Sequence, residues 1–234
     1  MINKIGVIGG IGPESSIEYY RLIIKRFQEI EATTEYPEFI IQSVNMTEML
    51  GYVFDKKLDQ LVDFLIERIN ILQKVGVEYV AIASNTPHIV FEKLSEKVSI
   101  PLISIVEETC KNVAAEKIKR VGLLGTNSTM SSGFYNSVAE QHNIQVVIPS
   151  LEDQDYIHNK YMSELVFNTI LPDTKNKLIE IIKKIKKEDL IEGLILGGTE
   201  LPLIIKQTDF SDIKIFDTTK IHVESIVAKM TKSI

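Results

Sequence analysis

Two stretches of this chain share a construction that restricts the fold to a narrow class. Residues 80–88 read VAIASNTPH and residues 193–202 read GLILGGTELP, so each apolar run ends in small residues, followed by Thr and then Pro. Such continuous apolar runs are typical of strands buried in a parallel sheet. Thr and Pro are typical of a helix start, because the hydroxyl accepts from free amides and Pro needs no hydrogen-bond acceptor there. Both stretches therefore place small polar residues at the carboxyl end of a strand, where open α/β sheets bind ligands.

The segments upstream of these stretches repeat as well. KIGVIGGIGP at residues 4–13 and RVGLLGT at residues 120–126 each run from a strand pattern into a glycine-containing turn. Ser84 follows Gly9 by 75 residues, and Gly198 follows Gly125 by 73 residues. A repeat of this period indicates two similar structural units. The pattern predicts an α/β fold of two Rossmann-like parallel-sheet domains, related by pseudo-twofold symmetry, with their strand ends facing each other.

Apolar periodicity predicts strands and helices in alternation, which favours parallel sheets. The helix expected over residues 58–75 has the clearest amphipathic stripe. The short strand at residues 101–105 is interpreted as the crossover between the two halves. The strands are expected at residues 2–8, 39–44, 79–83, 101–105, 121–124, 144–148, 193–196 and 213–216.

The composition excludes several classes of function. A net charge of −6 gives no electrostatic basis for binding nucleic acid. No stretch reaches the roughly 20 uninterrupted apolar residues that span a bilayer, and the N-terminus lacks a signal-peptide pattern, so we expect a cytoplasmic protein without a membrane partner. Cys110 is the only cysteine, which excludes an internal disulfide, and its neighbours at helical spacing predict a buried apolar role. The histidines show no ligand spacing, so no metal is expected.

A glycine-rich turn, Gly9-Gly10-Ile11-Gly12, follows the first predicted strand. Such a turn can let the backbone approach an anion at the start of the next helix. A tight turn without a ligand is the alternative. The spacing does not match the dinucleotide fingerprint G-x-G-x-x-G, so no nucleotide is expected, and the sequence predicts no other cofactor.

Five segments occur in order along essentially the whole chain: Gly9–Glu14, Ser84–His88, Gly122–Thr126 with Thr129 and Met130, Gly197–Pro202, and Asp217–Thr219 with His222. Together they resemble the aspartate/glutamate racemase family. In that family two cysteines, one before an Asn-Thr and one before a Thr-Glu, flank the substrate α-carbon. One thiolate removes the α-proton and the other thiol returns a proton to the opposite face, with no cofactor. The resemblance assigns those two positions to Ser84 and Gly198.

The resemblance implies an amino-acid racemase-type isomerase, acting on aspartate, glutamate or a related small carboxylate. It implies an N-terminal α/β domain of residues 1–100 plus 212–234, a C-terminal α/β domain of residues 101–211, and an active-site cleft between them. A small-molecule carboxylate or amino acid is the expected ligand, and the expected assembly is a homodimer.

The residues at the predicted strand ends form the candidate site. Ser84, Gly198 and Thr199 are the expected catalytic positions. Gly198 has no side chain, so we expect space there for a larger substrate or a water. The expected substrate-binding residues are Gly9, Gly10, Asn85, Thr86, Thr126, Thr129 and Glu200.

Several of these assignments have alternatives. Asn85 and Thr86 can bind an α-carboxylate or simply cap the following helix. His88, four residues after Ser84, can face the Ser84 hydroxyl as a base or serve as a structural residue at a helix end. Glu164 falls near the family's contacts to the distal carboxylate, with a surface salt bridge as the alternative. Asp217 and His222 are interpreted as structural.

The absence of cysteine at positions 84 and 198 leaves three further alternatives open. The protein can be a catalytically degenerate homologue that binds a small carboxylate without racemising it. It can catalyse a different carboxylate reaction that uses Ser84. The two residues can also be engineered changes, which the sequence does not distinguish from natural ones.

Overall fold

The structure is a computed structural model that describes residues 3–231. The chain divides into two compact units. Residues up to Ile105, together with those from Thr219 onward, form the first unit, and Val106–Thr218 form the second. The observed division after Thr218 lies later in the chain than the predicted one at residues 211/212.

Along the described residues, every strand is followed by one or two helices, in agreement with the mixture of strands and helices that the apolar periodicity predicts. A 3₁₀ turn at Thr86–Val90 follows the third strand, and shorter ones lie at Leu165–Phe167 and Gln207–Asp209. The strands and helices are β1 (Ile5–Gly9), α1 (Pro13–Glu31), β2 (Phe39–Ser43), α2 (Met46–Phe54), α3 (Leu58–Lys74), β3 (Tyr79–Ile82), α4 (Phe91–Lys97), β4 (Leu102–Ile103), α5 (Ile105–Ala115), β5 (Arg120–Gly125), α6 (Asn127–Ser131), α7 (Phe134–Gln141), β6 (Gln145–Val147), α8 (Leu151–Ser163), α9 (Pro172–Asp189), β7 (Gly193–Gly197), α10 (Leu201–Ile204), β8 (Lys214–Asp217) and α11 (Thr218–Thr231).

Each unit contains one four-stranded parallel sheet, and the two sheets have equivalent strand orders. The first is ordered β2-β1-β3-β4 and the second β6-β5-β7-β8. In both, the second strand in sequence lies at the edge, and the first and third form the centre. The predicted α/β class with two parallel sheets is therefore confirmed, and the internal repeat of the sequence is a repeat of sheet topology.

Two short strands complete the sheets. Leu102–Ile103, interpreted from the sequence as a crossover, pairs with β3 as the fourth strand of the first sheet. Lys214–Asp217 pairs with β7 in the same way, with Gly193 opposite Lys214. Because these ladder bonds tie β8 to the second sheet, the strand belongs to the second unit.

The core of the first unit lies between its sheet and helices α1 and α11. Tyr19, Ile23 and Phe27 recur at helical spacing on α1 and are buried. They pack with buried residues of the strands and with one face of α11, as the resemblance implied for the closing helix. The α11 residues in this cluster are Val223, Ile226, Val227 and Met230.

His222 is a buried structural residue. Its Nδ1 lies 2.7 Å from the Tyr19 hydroxyl, and its Nε2 lies 2.9 Å from the carbonyl oxygen of Ile103. A carbonyl only accepts hydrogen bonds, so Nε2 carries the proton and Nδ1 accepts from the phenol. The residue thereby ties α1, α11 and β4 together, in agreement with the structural interpretation from the sequence.

Helix α2 was not anticipated from the sequence. Asn45 caps it, since its side-chain oxygen accepts from the Glu48 amide at 3.2 Å. Met49, Leu50 and Val53 form its buried face. The signal was present, because an Asn followed three residues later by Glu, ahead of apolar residues, is typical of a helix start.

Gly10 is expected to tolerate no side chain. It adopts φ +78°, and a Cβ built on it would lie 2.7 Å from both the backbone nitrogen and the carbonyl oxygen of Val44. The left-handed conformation costs an L-residue about 1–2 kcal/mol, and overpacking adds about 1–3 kcal/mol. Gly10→Ala should therefore lower the free energy of unfolding, measured in urea, by about 2–5 kcal/mol.

Gly76 provides the control for this prediction. It has a similar φ of +85°, but nothing lies within 4 Å of a Cβ built there. Gly76→Ala should show the conformational cost alone, about 1–2 kcal/mol. Equal losses in the two variants would contradict the close approach of Val44 to Gly10.

Candidate active site

Ser84, Asn85 and Thr86, here called the first strand-end cluster, follow β3 directly. All three are buried. The strand continues one residue beyond its ladder, because the Ala83 amide donates to the Ile8 carbonyl at 2.9 Å. The Asn85 side chain makes no capping bond to the described turn that follows, at residues 86–90. The sequence correctly predicted that these residues lie at the carboxyl edge of the sheet.

His88 contacts the backbone of Ser84 and not its hydroxyl. Its Nδ1 lies 2.9 Å from the Ser84 carbonyl oxygen, so Nδ1 carries the proton, and its Nε2 accepts from the Ile105 amide at 3.3 Å. The ring stacks on Phe91 with a centroid distance of 4.9 Å. Burial, followed by the effect of nearby His222, lowers the pKa of His88 to about 3. With both nitrogens bound to backbone groups, the neutral ring is a structural element and not a base for Ser84.

The glycine turn after β1 is held by contacts within the first unit. The Gly10 amide donates to Ser16 Oγ at 2.7 Å, and the Gly12 amide lies 3.2 Å from Met46 Sδ. A Cβ on Gly9 would lie 2.7 Å from Ser16 Oγ. These contacts explain the small residues without a ligand, and a role for Gly9 and Gly10 in substrate binding stays a prediction.

Thr126, Thr129, Gly198, Thr199 and Glu200, here called the second strand-end cluster, follow β5 and β7. All five are buried, and the two strands are neighbours that end at the same edge of the sheet. Thr126 caps α6, because its hydroxyl accepts from the Thr129 amide at 3.2 Å, and the two hydroxyls lie 3.0 Å apart. Thr199 Oγ1 donates to Glu200 Oε2 at 2.9 Å. The structure thus brings these predicted residues together.

Tyr161 contacts the second strand-end cluster, although no motif of the sequence indicated this residue. Its hydroxyl donates to Glu200 Oε2. A Cβ built on Gly198 would overlap Tyr161 Cε2 and lie 3.0 Å from Cζ. The prediction of open space at Gly198 is therefore wrong, because the Tyr161 ring fills that space. The usable signals were a glycine at a strand end, which often marks a close approach, and the helical spacing of Gln154, Ile157 and Tyr161.

The environment of Tyr161 keeps its phenol protonated. Burial raises its pKa well above the ordinary value, and the negative charge of Glu200 and the bond to it act in the same direction. Contacts with Thr199 and with the Glu200 backbone oppose this rise without cancelling it. The phenol is therefore a hydrogen-bond donor to a buried carboxylate.

Glu164 is an internal ion-pair residue. Its carboxylate pairs with Lys160 and accepts from Thr174 Oγ1 at 2.6 Å. Burial acts to raise the pKa of this carboxyl group, but the hydrogen bonds from Lys160 and Thr174 outweigh it and leave the pKa below its ordinary value. The salt bridge expected from the sequence is present, but the residue is buried rather than at the surface.

His158 lies on α8, three residues before Tyr161, and contacts the start of α6. The Asn127 amide donates to His158 Nδ1 at 3.4 Å, and Asn127 Nδ2 donates to Asp155 Oδ1 at 3.0 Å. Burial lowers the pKa of His158, and Asp155 opposes that shift. A neutral imidazole that accepts at Nδ1 carries its proton on Nε2.

Other chemical groups add little to the site. Among residues 3–231, no three His, Cys, Asp or Glu residues lie together in a way that could hold a metal ion. Cys110 is fully buried, which confirms its predicted apolar role, and burial together with Glu107 raises the pKa of its thiol to about 12. Within the same residues, no helix is long and apolar enough to cross a membrane.

Comparison with known proteins identifies the family. The model of the Asp/Glu/hydantoin racemase family matches residues 8–226, which is nearly the whole chain. The chain belongs to this racemase family. The racemase motifs of the sequence and the paired parallel sheets agree with that assignment.

Individual relatives agree with this assignment. The broad specificity amino-acid racemase RacX of Bacillus subtilis is 28% identical over 146 residues, which are 61% of this chain and 63% of RacX. The chain spans less than two thirds of the length of the first curated relatives that it matches.

Solved structures match over the full length. A putative Asp/Glu racemase from Yersinia pestis superposes with a TM-score of 0.89 at 28% identity, covering 98% of this chain and 100% of that one. PH1733, an aspartate racemase homologue from Pyrococcus horikoshii, superposes with a TM-score of 0.85 at 33% identity over the same shares.

Proposed function

We propose that this family member is a cofactor-independent amino-acid racemase-type isomerase, acting on aspartate, glutamate or a related small carboxylate. The observation that carries the proposal is the chemistry of the two strand-end clusters. The first sheet ends in buried hydroxyl and amide side chains and the second in buried threonine hydroxyls, at the carboxyl edges where α/β sheets bind ligands. Hydroxyl and amide donors suit a carboxylate and the charge that develops when an α-proton leaves.

The roles follow from this chemistry. Asn85 and Thr86 at the end of the first sheet, and Thr126 and Thr199 at the end of the second, are the donors suited to a carboxylate and to the enolate-like charge. Ser84 would lie nearest the reacting carbon on the first unit. A serine hydroxyl is a much weaker acid than a thiol, whose pKa is about 8.5, so slow turnover is expected.

A second candidate is a carboxylate-binding homologue that does not racemise its ligand, or that uses Ser84 for another reaction. Position 84 is a serine and position 198 a glycine, so neither supplies a thiol. Both nitrogens of His88 contact backbone groups, which deprives Ser84 of the one base that the sequence offered. This candidate predicts ligand affinity without exchange of the α-proton.

Exchange of the α-proton in deuterated water, followed by NMR for both enantiomers of aspartate and glutamate, tests the proposal. We expect slow exchange for the wild type and a loss of about 10²-fold or more in Ser84→Ala, the lower range of general acid–base effects. Ser84→Cys should exchange faster than the wild type, because a thiolate forms more readily.

Ser95→Ala is the matched control, since Ser95 is an exposed serine whose hydroxyl donates to the Glu92 carbonyl. It should exchange like the wild type. Binding of aspartate or glutamate with no exchange in the wild type would overturn the racemase proposal and favour the second candidate.

Assembly is a separate part of the proposal. The family resemblance supports a homodimer, and analytical ultracentrifugation tests it. A single monomeric species at micromolar concentration would contradict the dimer without affecting the proposed reaction.

A further inference from the structure

The ring of Tyr161 lies where a side chain on residue 198 would project. A Cβ on Gly198 would lie 3.1 Å from the Tyr161 hydroxyl oxygen. A functional atom one bond beyond that Cβ would therefore share its space with the phenol. Gly198, which follows β7, has no side chain, and the hydroxyl of Tyr161 on helix α8 lies in its place.

Glu200 lies behind this phenol. Tyr161 and Thr199 both donate to Glu200 Oε2. Tyr161 keeps 7% of its surface exposed and Thr199 keeps 6%, whereas Glu200 keeps only 1%. A ligand at the strand ends can thus reach Tyr161 and Thr199 more readily than Glu200, which is almost completely buried.

The neighbouring titratable groups are committed to other contacts. Glu164 is paired with Lys160 and Thr174. His158 accepts the Asn127 amide on Nδ1, so its neutral ring has no lone pair left for a substrate proton. Within the described part of the second strand-end cluster, the Tyr161–Glu200 pair is the arrangement best able to take up a proton.

We propose that Tyr161 and Glu200 form a proton relay, in which Tyr161 is the group that exchanges a proton with the substrate α-carbon and Glu200 is the base behind it. This inference rests on the racemase-type function proposed above. It assigns a catalytic role to a residue outside the strand-end motifs and gives Glu200 a role beyond substrate binding.

The step balances without any other reagent. The Cα–H bond of the amino acid breaks, and its electron pair stays on the substrate as a carbanion delocalised into the carboxylate. The proton passes to the phenol oxygen while the phenol's own proton passes to Glu200 Oε2. Tyr161 is neutral before and after, and Glu200 becomes a carboxylic acid. The reverse transfer delivers a proton to the same face of the carbanion, so the relay removes the proton of one enantiomer and, run backwards, forms that enantiomer from the carbanion.

The relay avoids a phenolate. The raised pKa of Tyr161 means that the free phenolate is scarce near neutral pH, so the phenol alone is a poor base. Passing its proton to Glu200 in the same step removes that obstacle. Burial of both groups supports the transfer, because hydrogen-bonded chains strengthen in a low dielectric.

Tyr161→Phe is the decisive variant, because it keeps the ring at Gly198 and removes only the hydroxyl. Glu200→Gln keeps the shape of the acceptor and removes its basicity. We expect each to lose α-proton exchange by about 10²-fold or more while still binding the amino acid, measured by calorimetry. One group reaches only one face of the α-carbon, so the loss in Tyr161→Phe should differ between the two enantiomers.

Tyr135→Phe is the matched control, since Tyr135 is a second buried tyrosine of the same unit. It should keep wild-type exchange. If the wild type exchanges and folded Tyr161→Phe exchanges equally, the relay is wrong while the racemase function stands. If the wild type exchanges nothing, both proposals fall. Should Tyr161→Phe fail to fold, as judged by circular dichroism, Glu200→Gln decides, and wild-type exchange in that variant overturns the relay.

Discussion

Gly198→Cys is expected to destabilise the protein by about 1–3 kcal/mol, the usual cost of overpacking a filled site. A Cβ there overlaps the ring of Tyr161. That ring is the far end of a side chain, but it is buried on the inner face of α8 and bonded to Glu200, so it cannot turn away without breaking that bond. Urea denaturation, read as the free energy of unfolding, measures the loss.

The same clash predicts a coupling between positions 161 and 198. Tyr161→Ala alone should cost about 3–5 kcal/mol, because it leaves a large cavity. In that background the new thiol side chain at position 198 would enter the cavity, so adding Gly198→Cys should be neutral or stabilising. A double-mutant cycle should give a coupling of about 1–3 kcal/mol.

Gly51→Cys provides the control for side-chain chemistry. Nothing lies within 4 Å of a Cβ on Gly51, which sits in α2. The variant should be neutral or slightly stabilising, because glycine in a helix costs about 0.5–1 kcal/mol relative to alanine. Additive effects of the changes at 161 and 198 would refute the proposed contact.

This coupling concerns the position that the resemblance assigns to the second thiol of the family. The resemblance assigns the second thiol to position 198, yet a cysteine restored there meets the Tyr161 ring. At position 84 a cysteine would replace a serine, from which it differs by one atom, so a clash like the one at position 198 is not expected. We therefore expect a thiol to be introduced at position 84 without a steric clash, whereas a thiol at position 198 is accommodated without cost only if Tyr161 is changed as well.

The sequence predicted the fold well because the fold depends on local and repeated signals. Buried central strands read as apolar runs, and the repeated strand-to-turn segments identified two similar sheets. The strand expected at residues 101–105 is present as Leu102–Ile103, but its interpretation as the crossover between the halves was wrong, because it pairs with β3 in the first sheet. Helix α2 was missed because its signal lies in the capping residues Asn45 and Glu48 rather than in a long apolar stripe.

The site was harder to predict, because its key contact is not local. Strand-end motifs placed Ser84, Thr126 and Thr199 correctly at the sheet edges. Tyr161 lies 37 residues before Gly198, and no sequence spacing connects the two. His88 was suggested as a partner of Ser84, but the structure shows that it binds the backbone carbonyl of that residue. Backbone hydrogen bonds of this kind leave no side-chain pattern in the sequence.

Lowering the pH from 7 to 5 is expected to remove about 2 kcal/mol of stability through His88 alone. The imidazole has a pKa of about 3 in the folded protein against an ordinary 6.5. Above pH 6.5 the ring is neutral in both states and its contribution is fully present. Below pH 6.5 His88 is protonated in the unfolded chain, whereas in the folded protein it stays neutral down to about pH 3. The free energy of unfolding therefore falls by about 1.4 kcal/mol per pH unit in this range.

His88→Asn tests this dependence, because its amide can still donate to the Ser84 carbonyl but does not titrate. At pH 8 the variant should be less stable than the wild type, since it loses the ring that stacks on Phe91. Between pH 7 and pH 5 the two stabilities should converge by about 2 kcal/mol, because only the wild type carries the buried histidine that resists protonation. Most carboxylates stay ionised in this window, so the difference between the two curves isolates the histidine.

Phe91→Leu separates the effect of His88 protonation from the effect of the packing of its ring. It weakens the same stacked contact but keeps His88, so its stability should lie below that of the wild type by a constant amount and run parallel to it between pH 7 and pH 5. If the stabilities of the wild type and His88→Asn also run parallel between pH 7 and pH 5, the ring takes up a proton in the folded state. That result would require the contact from the Ile105 amide to Nε2 to open, because Nδ1 already carries a proton and Nε2 is the nitrogen that would gain one. His88 would then be available as a base after all, and the case against it at Ser84 would have to be withdrawn.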